Sequence, residues 1–73
     1  MNRLRNKEEL IVFGEKLKGI RLSKCFTLEQ LAIEAEMEIS QVYRIEKGKI
    51  NPTFTTLTAL ARGLGITIGE LVG

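Results

Sequence analysis

Apolar residues recur at the spacing of an α-helix along almost the whole of this 73-residue chain. No stretch shows the strict alternation of apolar and polar residues that is typical of a half-buried strand. The first apolar stripe advances in steps of three and four residues and consists of Leu10, Phe13, Leu17 and Ile20. This spacing predicts a helix over residues 7–23, and its continuation along the chain predicts an all-α fold.

Two capping boxes mark where later helices begin. In such a box the side chains of the cap residue and of the residue three positions later bond each other's backbone amides. Thr27 and Gln30 form the first box and predict the start of a short second helix. Thr67 and Glu70 form the second box and predict a short helix at the end of the chain.

Glycine and proline bound the two helices between these boxes. A third helix is predicted from Ile39 to Lys47, because Gly48 is a usual residue after a helix C-terminus. Pro52 disfavours helical geometry in the residue before it, so residues 49–52 are predicted to be a loop. Thr53 can cap a fourth helix that ends at Gly63-Leu64-Gly65. We therefore expect one compact domain over residues 1–73 in which five helices share a core.

The composition excludes most enzyme chemistry. The chain has no histidine, all nine acidic residues are glutamates, and Cys25 is its one cysteine. Ser-His-Asp and Cys-His arrangements therefore lack their base, and a zinc site lacks its ligands. We expect a protein that is not an enzyme and uses no cofactor, metal or small-molecule ligand. The apolar run at residues 10–13 is too short for a membrane span or a signal peptide, so we expect a cytoplasmic, nucleoid-associated protein without a membrane partner.

Charge is distributed unevenly along the chain, although the net charge is only +2. Residues 1–24 hold seven Lys and Arg against three Glu, whereas residues 25–48 hold two against five. The basic excess is therefore N-terminal and the middle of the chain is acidic, which weighs against binding of an anionic partner by the middle segment.

The third predicted helix has two chemically different faces. At 100° per residue, Val42 and Ile45 fall on one side. The opposite side carries hydrogen-bonding groups, on Ser40, Tyr43, Arg44 and Lys47. Such donors suit phosphates and base edges in a DNA groove. Any solvated helix also has a polar face, so the pattern alone leaves both interpretations open.

A longer pattern of residues carries a resemblance to a known family. It comprises Phe13-Gly14, Leu17, Ile20-Arg21, Phe26-Thr27, Leu31-Ala32, Val42, Arg44-Ile45-Glu46-Lys47-Gly48-Lys49, Asn51-Pro52, Leu57, Ala61, Leu64-Gly65 and Leu71. Residues 10–72 thereby resemble the lambda-repressor-like, or xenobiotic-response-element, family of helix-turn-helix DNA-binding domains, with the helix-turn-helix at residues 27–48. The resemblance implies a five-helix fold and a transcription regulator that binds double-stranded DNA as a homodimer.

The family pattern also implies roles for individual residues. A buried ion pair is expected between Arg21 and Glu46, with a role in the fold and not in DNA contact. The positions that read bases correspond to Glu38, Ile39, Ser40, Tyr43 and Arg44. The positions that contact phosphates correspond to Thr27, Leu28, Lys47, Lys49 and Asn51. Two alternatives stay open here: Ile39 belongs to the core, and the polar side chains are simply solvated.

Three residues depart from the family pattern. Glu36 and Cys25 stand where glycine is usual, and Glu38 stands where a small cap residue is usual. A left-handed residue other than glycine is strained, so we expect a looser or differently shaped turn at Glu36. The two glutamates also support a rival interpretation, namely a protein-interaction module that kept the fold and lost DNA binding.

The C-terminal segment carries more apolar residues than one short helix needs. They are Ile66, Ile68, Leu71 and Val72. A domain of this size has a marginal core, so dimerisation would stabilise it. Two interpretations remain, a dimer contact and ordinary core packing.

Overall fold

The structure is a computed structural model that describes residues 3–73, with side chains from residue 6 onward. Over that range it contains no strand and five helices: α1 (Arg3–Ser23), α2 (Leu28–Ala35), α3 (Ile39–Glu46), α4 (Phe54–Leu64) and α5 (Ile68–Val72). The predicted all-α, five-helix class is confirmed. Residues 1 and 2, which the predicted domain includes, lie outside the described residues.

Helix boundaries differ from the prediction at two places. The first helix begins at Arg3 instead of residue 7, because three of the four added residues, two arginines and a leucine, are themselves good helix formers. The third helix ends at Glu46, and Lys47 is its C-cap in right-handed geometry. Gly48 then adopts a left-handed conformation with φ of 71°, as its predicted role at the helix end requires.

One hydrophobic core joins all five helices. Its largest fully buried side chains are Leu17, Leu31, Val42, Ile45, Leu60 and Leu71. Helices α2 and α4 pack closely enough that a Cβ atom at Gly63 would lie 3.0 Å from the amide nitrogen of Ala35. Helices α1 and α3 approach even more closely, since a Cβ atom at Gly14 would lie 2.4 Å from the carbonyl oxygen of Glu46. The fold therefore holds the C-terminal end of α3 directly against α1.

Both predicted capping boxes are present. The hydroxyl of Thr27 accepts from the amide of Gln30 at 3.0 Å, and the amide of Thr27 donates to the Gln30 side-chain oxygen at 2.8 Å. Thr67 and Glu70 repeat these two bonds at 3.0 and 2.8 Å. The starts of α2 and α5 are therefore fixed by local hydrogen bonds.

The turn between α2 and α3 corrects one expectation. Glu36 is the C-cap of α2 in left-handed geometry (φ 57°, ψ 48°), and its amide bonds the carbonyl oxygens of Ala32 and Ile33. This is the ordinary conformation that glycine adopts at a helix end, not a looser turn. Cys25 is also left-handed, with φ of 60°. Two residues other than glycine therefore have a strained left-handed backbone, one on each side of α2.

The C-terminal apolar residues separate into core and surface. Leu71 is 0% exposed within a single copy of the chain, so its side chain belongs to the core and the prediction of a dimer contact there is wrong. Ile66 and Ile68 are half-buried, and Val72 is 51% exposed. Within the described residues, no helix combines the length and the apolar character needed to cross a bilayer.

Candidate nucleic-acid interface

Helix α3 presents one face to the core and another to solvent. Val42, Ile45 and Glu46 are buried. The exposed residues are Ile39, Ser40, Tyr43, Arg44 and Lys47. Tyr43 is 45% exposed and Ile39 is 48% exposed, so the alternative that placed Ile39 in the core is wrong. The outward face therefore offers a hydroxyl, a phenol, a guanidinium and an ammonium beside one aliphatic side chain.

An ion pair behind this face sets the position of α3 relative to α1. Arg21 Nε donates to Glu46 Oε2 at 2.6 Å, and Arg21 Nη2 donates to Glu46 Oε1 at 3.1 Å. Arg21 Nη1 also donates to the carbonyl oxygen of Phe26 at 2.8 Å. Both charged residues are buried. One guanidinium thus joins α1, the loop before α2 and the last residue of α3. The ion pair with Glu46 is the one that the family resemblance implied.

The N-terminus of α2 is an exposed hydrogen-bonding end. Thr27 is exposed, and its hydroxyl oxygen already accepts from Gln30, which leaves the hydroxyl proton available to a ligand. The first amides of a helix have no partner within it, so those of Leu28 and Glu29 are open to an acceptor. The Leu28 side chain is half-buried and packs against the core, so this residue can offer only its backbone.

Two lysines and an asparagine surround the end of α3. Lys47, Lys49 and Asn51 are all exposed. The ammonium of Lys47 lies 5.6 Å from the centroid of the Tyr43 ring, a cation–π contact one helical turn apart. This contact orients both side chains on the same side of α3, next to the loop that carries Lys49.

Acidic residues also reach the surface of the helix-turn-helix. The carboxylate of Glu36 lies 3.8 Å from the Arg62 guanidinium, with both side chains exposed. Glu38 is the N-cap of α3, and its side chain makes no capping hydrogen bond. Its charge still lies favourably at the positive end of the α3 dipole. The Glu38 carboxylate is therefore free of the helix end. It could accept a hydrogen bond from the amino group of a base, or it could repel a negatively charged ligand.

Comparison with known proteins decides the family. The helix-turn-helix domain family matches residues 12–72. The chain belongs to this family. The lambda-repressor-like resemblance expected from the sequence is confirmed, and Ser40, Tyr43 and Arg44 lie on the second helix of the motif.

Relatives of this helix-turn-helix protein include a phage immunity repressor and a control protein. It is 38% identical over 60 residues to the immunity repressor protein of Bacillus phage phi105, a match that covers 82% of this chain but 42% of the repressor. It is 40% identical over 63 residues to control protein C.MunI of Mycoplasma sp., and the match covers 84% of each chain. The chain thus spans less than half of the phage relative and most of the controller.

A solved structure shows the same architecture. The restriction-modification controller protein C.AhdI from Aeromonas hydrophila has a TM-score of 0.86 to this helix-turn-helix protein at 31% identity, covering 88% of this chain and 97% of that chain. The five-helix arrangement is therefore shared with nearly the whole of that controller protein's chain.

Sequence reasoning missed one residue at this surface. Lys7 of α1 lines the same shallow depression as Lys47 and Lys49, although it precedes the family match at residues 12–72. Its spacing of four residues from Ile11 predicts a shared helix face. Nothing in the sequence indicates that Ile11 contacts Gly48, which is the contact that brings Lys7 to the loop.

Proposed function

We propose that this chain is a sequence-specific transcription regulator that binds a two-fold-related DNA operator as a homodimer. Each protomer would insert α3 into the major groove, which is wide enough to admit an α-helix. The observation that carries the proposal is the division of α3 into a buried apolar face and an exposed face with Ser40, Tyr43 and Arg44.

The exposed residues of α3 are assigned to base edges. The Arg44 guanidinium can donate two parallel hydrogen bonds to a guanine, and such a contact is worth about 1–3 kcal/mol of discrimination. Ile39 offers an apolar contact to a thymine methyl group, and Glu38 can accept from a cytosine amino group. Ser40 and Tyr43 supply hydroxyls to bases or phosphates. Their exposure and common position on one side of α3 support this assignment.

Residues at the two ends of the motif are assigned to phosphates. The Thr27 hydroxyl and the Leu28 amide lie at the positive end of α2, where anions bind favourably. The ammonium groups of Lys47 and Lys49 and the Asn51 amide supply donors from the loop after α3. Phosphate contacts fix the register of α3 on the duplex, whereas base contacts select the sequence.

Homodimerisation is proposed through the C-terminal surface. Val72 is exposed and lines a depression together with Val12, which is 64% exposed. Ile66 and Ile68 are half-buried, and Ile66 packs against the core. Two copies related by a two-fold axis would read half-sites about 34–36 Å apart, one turn of DNA.

The relatives indicate which type of regulator this protein is. Two of the relatives are a control protein and a phage immunity repressor, and the similar structure is a restriction-modification controller. We infer a regulator of the same kind, which acts on genomic or phage DNA in the cytoplasm.

Duplex binding at varied salt tests the proposal. Labelled random-sequence duplex is titrated with the protein at several salt concentrations, and binding is followed by fluorescence anisotropy. The logarithm of the affinity should fall with the logarithm of salt, with a slope near −0.9 for each phosphate neutralised. An absence of duplex binding at low salt would contradict the proposal and favour a protein-interaction module, with Glu36 and Glu38 facing a protein partner.

A further inference from the structure

A shallow depression lies between the start of α1 and the loop that follows α3. Three lysines line it: Lys7 from α1, and Lys47 and Lys49 from the loop. All three side chains are exposed. We refer to this feature as the three-lysine depression. It joins the predicted phosphate contacts after α3 to a part of α1 that lies outside the family match at residues 12–72.

Close backbone packing holds the depression together. A Cβ atom at Gly48 would lie 2.8 Å from the Cα atom of Ile11, so the loop backbone lies directly on α1. Lys47 and Lys49 flank Gly48 in the chain. Lys7 precedes Ile11 by four residues, about one helical turn, and therefore shares its face of α1. The three lysines are brought together by this one contact.

No described side chain neutralises the charge in the depression. Among residues 6–73, none of the three lysines forms an ion pair with a carboxylate. Glu8 and Glu9, the acidic residues nearest to Lys7 in sequence, line a different depression beside Val72. The first turns of α1 thus place basic and acidic side chains on different sides, and three like charges remain on one surface.

We propose that the three-lysine depression binds a phosphodiester group of the DNA backbone, with Lys7 as an additional phosphate contact. The inference rests on the proposed function, since the duplex must be bound through α3 for its backbone to pass the loop. Ammonium groups bind phosphates as compact point charges with rotatable donors. A phosphate bound there would relieve the mutual repulsion of the three lysines. It would also extend the footprint of each protomer beyond the helix-turn-helix.

Lys7→Gln tests this assignment. The control is Lys18→Gln, which removes the same charge from an exposed lysine about three helical turns further along α1, outside both the three-lysine depression and the proposed dimer surface. Duplex affinity is measured by fluorescence anisotropy between 50 and 200 mM salt, and competition among duplexes of different sequence gives the sequence preference. Thermal unfolding of each variant checks that the fold is kept.

The expected result is a salt slope that is smaller by about 0.9 per protomer for Lys7→Gln and unchanged for Lys18→Gln. When salt is raised from 50 to 200 mM, the duplex affinity of the Lys7 variant should therefore fall about 3.5-fold less per protomer than that of the unmodified protein. Sequence preference should stay the same. An unchanged slope, or an altered sequence preference, would overturn the role of Lys7 while leaving the proposed function intact. A lack of salt-dependent duplex binding by the unmodified protein would overturn both.

Discussion

The guanidinium of Arg21 and the carboxylate of Glu46 form a buried two-bond ion pair, with Nε–Oε2 and Nη2–Oε1 distances of 2.6 and 3.1 Å. The pair connects the last residue of α3 to α1 on the buried side of α3, whereas Ser40, Tyr43 and Arg44 are exposed. A shift of α3 would therefore have to break these bonds or carry α1 with it. The pair gives the exposed face a defined orientation.

Removal of one member of this pair should destabilise the fold strongly. We expect Arg21→Met and Glu46→Leu each to lower the free energy of unfolding by about 3–5 kcal/mol, because each leaves the other charge buried without its partner. The double variant should lose less than the sum of the two single losses. Urea unfolding at 25 °C measures all three values.

The exposed ion pair between Arg62 and Glu36 supplies the control. Its atoms are 3.8 Å apart and its side chains are exposed, so Arg62→Met should change the free energy of unfolding by less than about 1 kcal/mol. Additive losses in the double Arg21→Met/Glu46→Leu variant would contradict an energetic coupling between those two residues.

Glycine at the two left-handed positions should stabilise the protein. Glu36 and Cys25 have φ values of 57° and 60°, which are unfavourable for residues with a Cβ atom by roughly 1–2 kcal/mol. Glycine loses more chain entropy on folding, so we expect Cys25→Gly and Glu36→Gly each to raise the free energy of unfolding by about 1 kcal/mol or less.

The same two variants should differ in duplex binding. Glu36→Gly removes a negative charge from the helix-turn-helix, whereas Cys25→Gly changes no charge. We therefore expect tighter duplex binding for Glu36→Gly alone, measured by anisotropy at low salt. Equal duplex affinities for the two variants would show that the acidic turn lies away from the DNA.

Substitutions of Thr27 should separate its capping role from its contact with phosphate. Serine and aspartate both cap helices well, so Thr27→Ser and Thr27→Asp should keep the stability that Thr27→Ala loses, about 0.5–2 kcal/mol. Aspartate adds a negative charge where a phosphate is proposed to bind. Thr27→Asp should therefore weaken duplex binding while Thr27→Ser preserves it. Equal duplex affinity for these two variants would show that Thr27 does not contact the DNA.

Glu70 makes the stability of the α5 end dependent on pH. Hydrogen bonds from the backbone amide and then the hydroxyl of Thr67, with a smaller contribution from Lys24, lower the pKa of the Glu70 carboxyl. A lowered folded-state pKa gives stability that is present above the unfolded value, about 4.3, and is lost as pH falls through the folded value. An NMR titration should place the Glu70 midpoint below that of glutamate in an unfolded peptide. Glu70→Gln should reduce the dependence of unfolding on pH below about 4.3.

Local signals predicted most of the fold. The Thr27 and Thr67 capping boxes, Gly48 and the apolar stripes depend on residues within one or two helical turns, so the sequence was sufficient to place the helices. Which apolar residues at the C-terminus are buried depends instead on long-range packing. Leu71 carried the same apolar signal as Val72, yet the structure buries the first and exposes the second.

At the candidate site, the sequence predicted which side chains of α3 are buried and which are exposed. Helical periodicity separated Val42 from Tyr43 and Arg44, and the resemblance identified Arg21 and Glu46 as a pair. Neither helical periodicity nor the family resemblance predicted that Lys7 lies beside Lys47 and Lys49. That position depends on the contact of Gly48 with Ile11 across the fold. Sequence periodicity gives the face of a helix but not the element that lies against it.

Selection of bound duplexes from a random-sequence pool tests most directly whether the exposed face of α3 reads DNA bases. The unmodified protein, Arg44→Ala and Lys49→Ala are compared, since each variant removes one exposed cation. We predict that the unmodified protein enriches a two-fold-symmetric motif. Lys49→Ala should enrich the same motif with weaker binding, and Arg44→Ala should lose the preference at one position of each half-site. The absence of any enriched motif, or an unaltered motif with Arg44→Ala, would contradict this account.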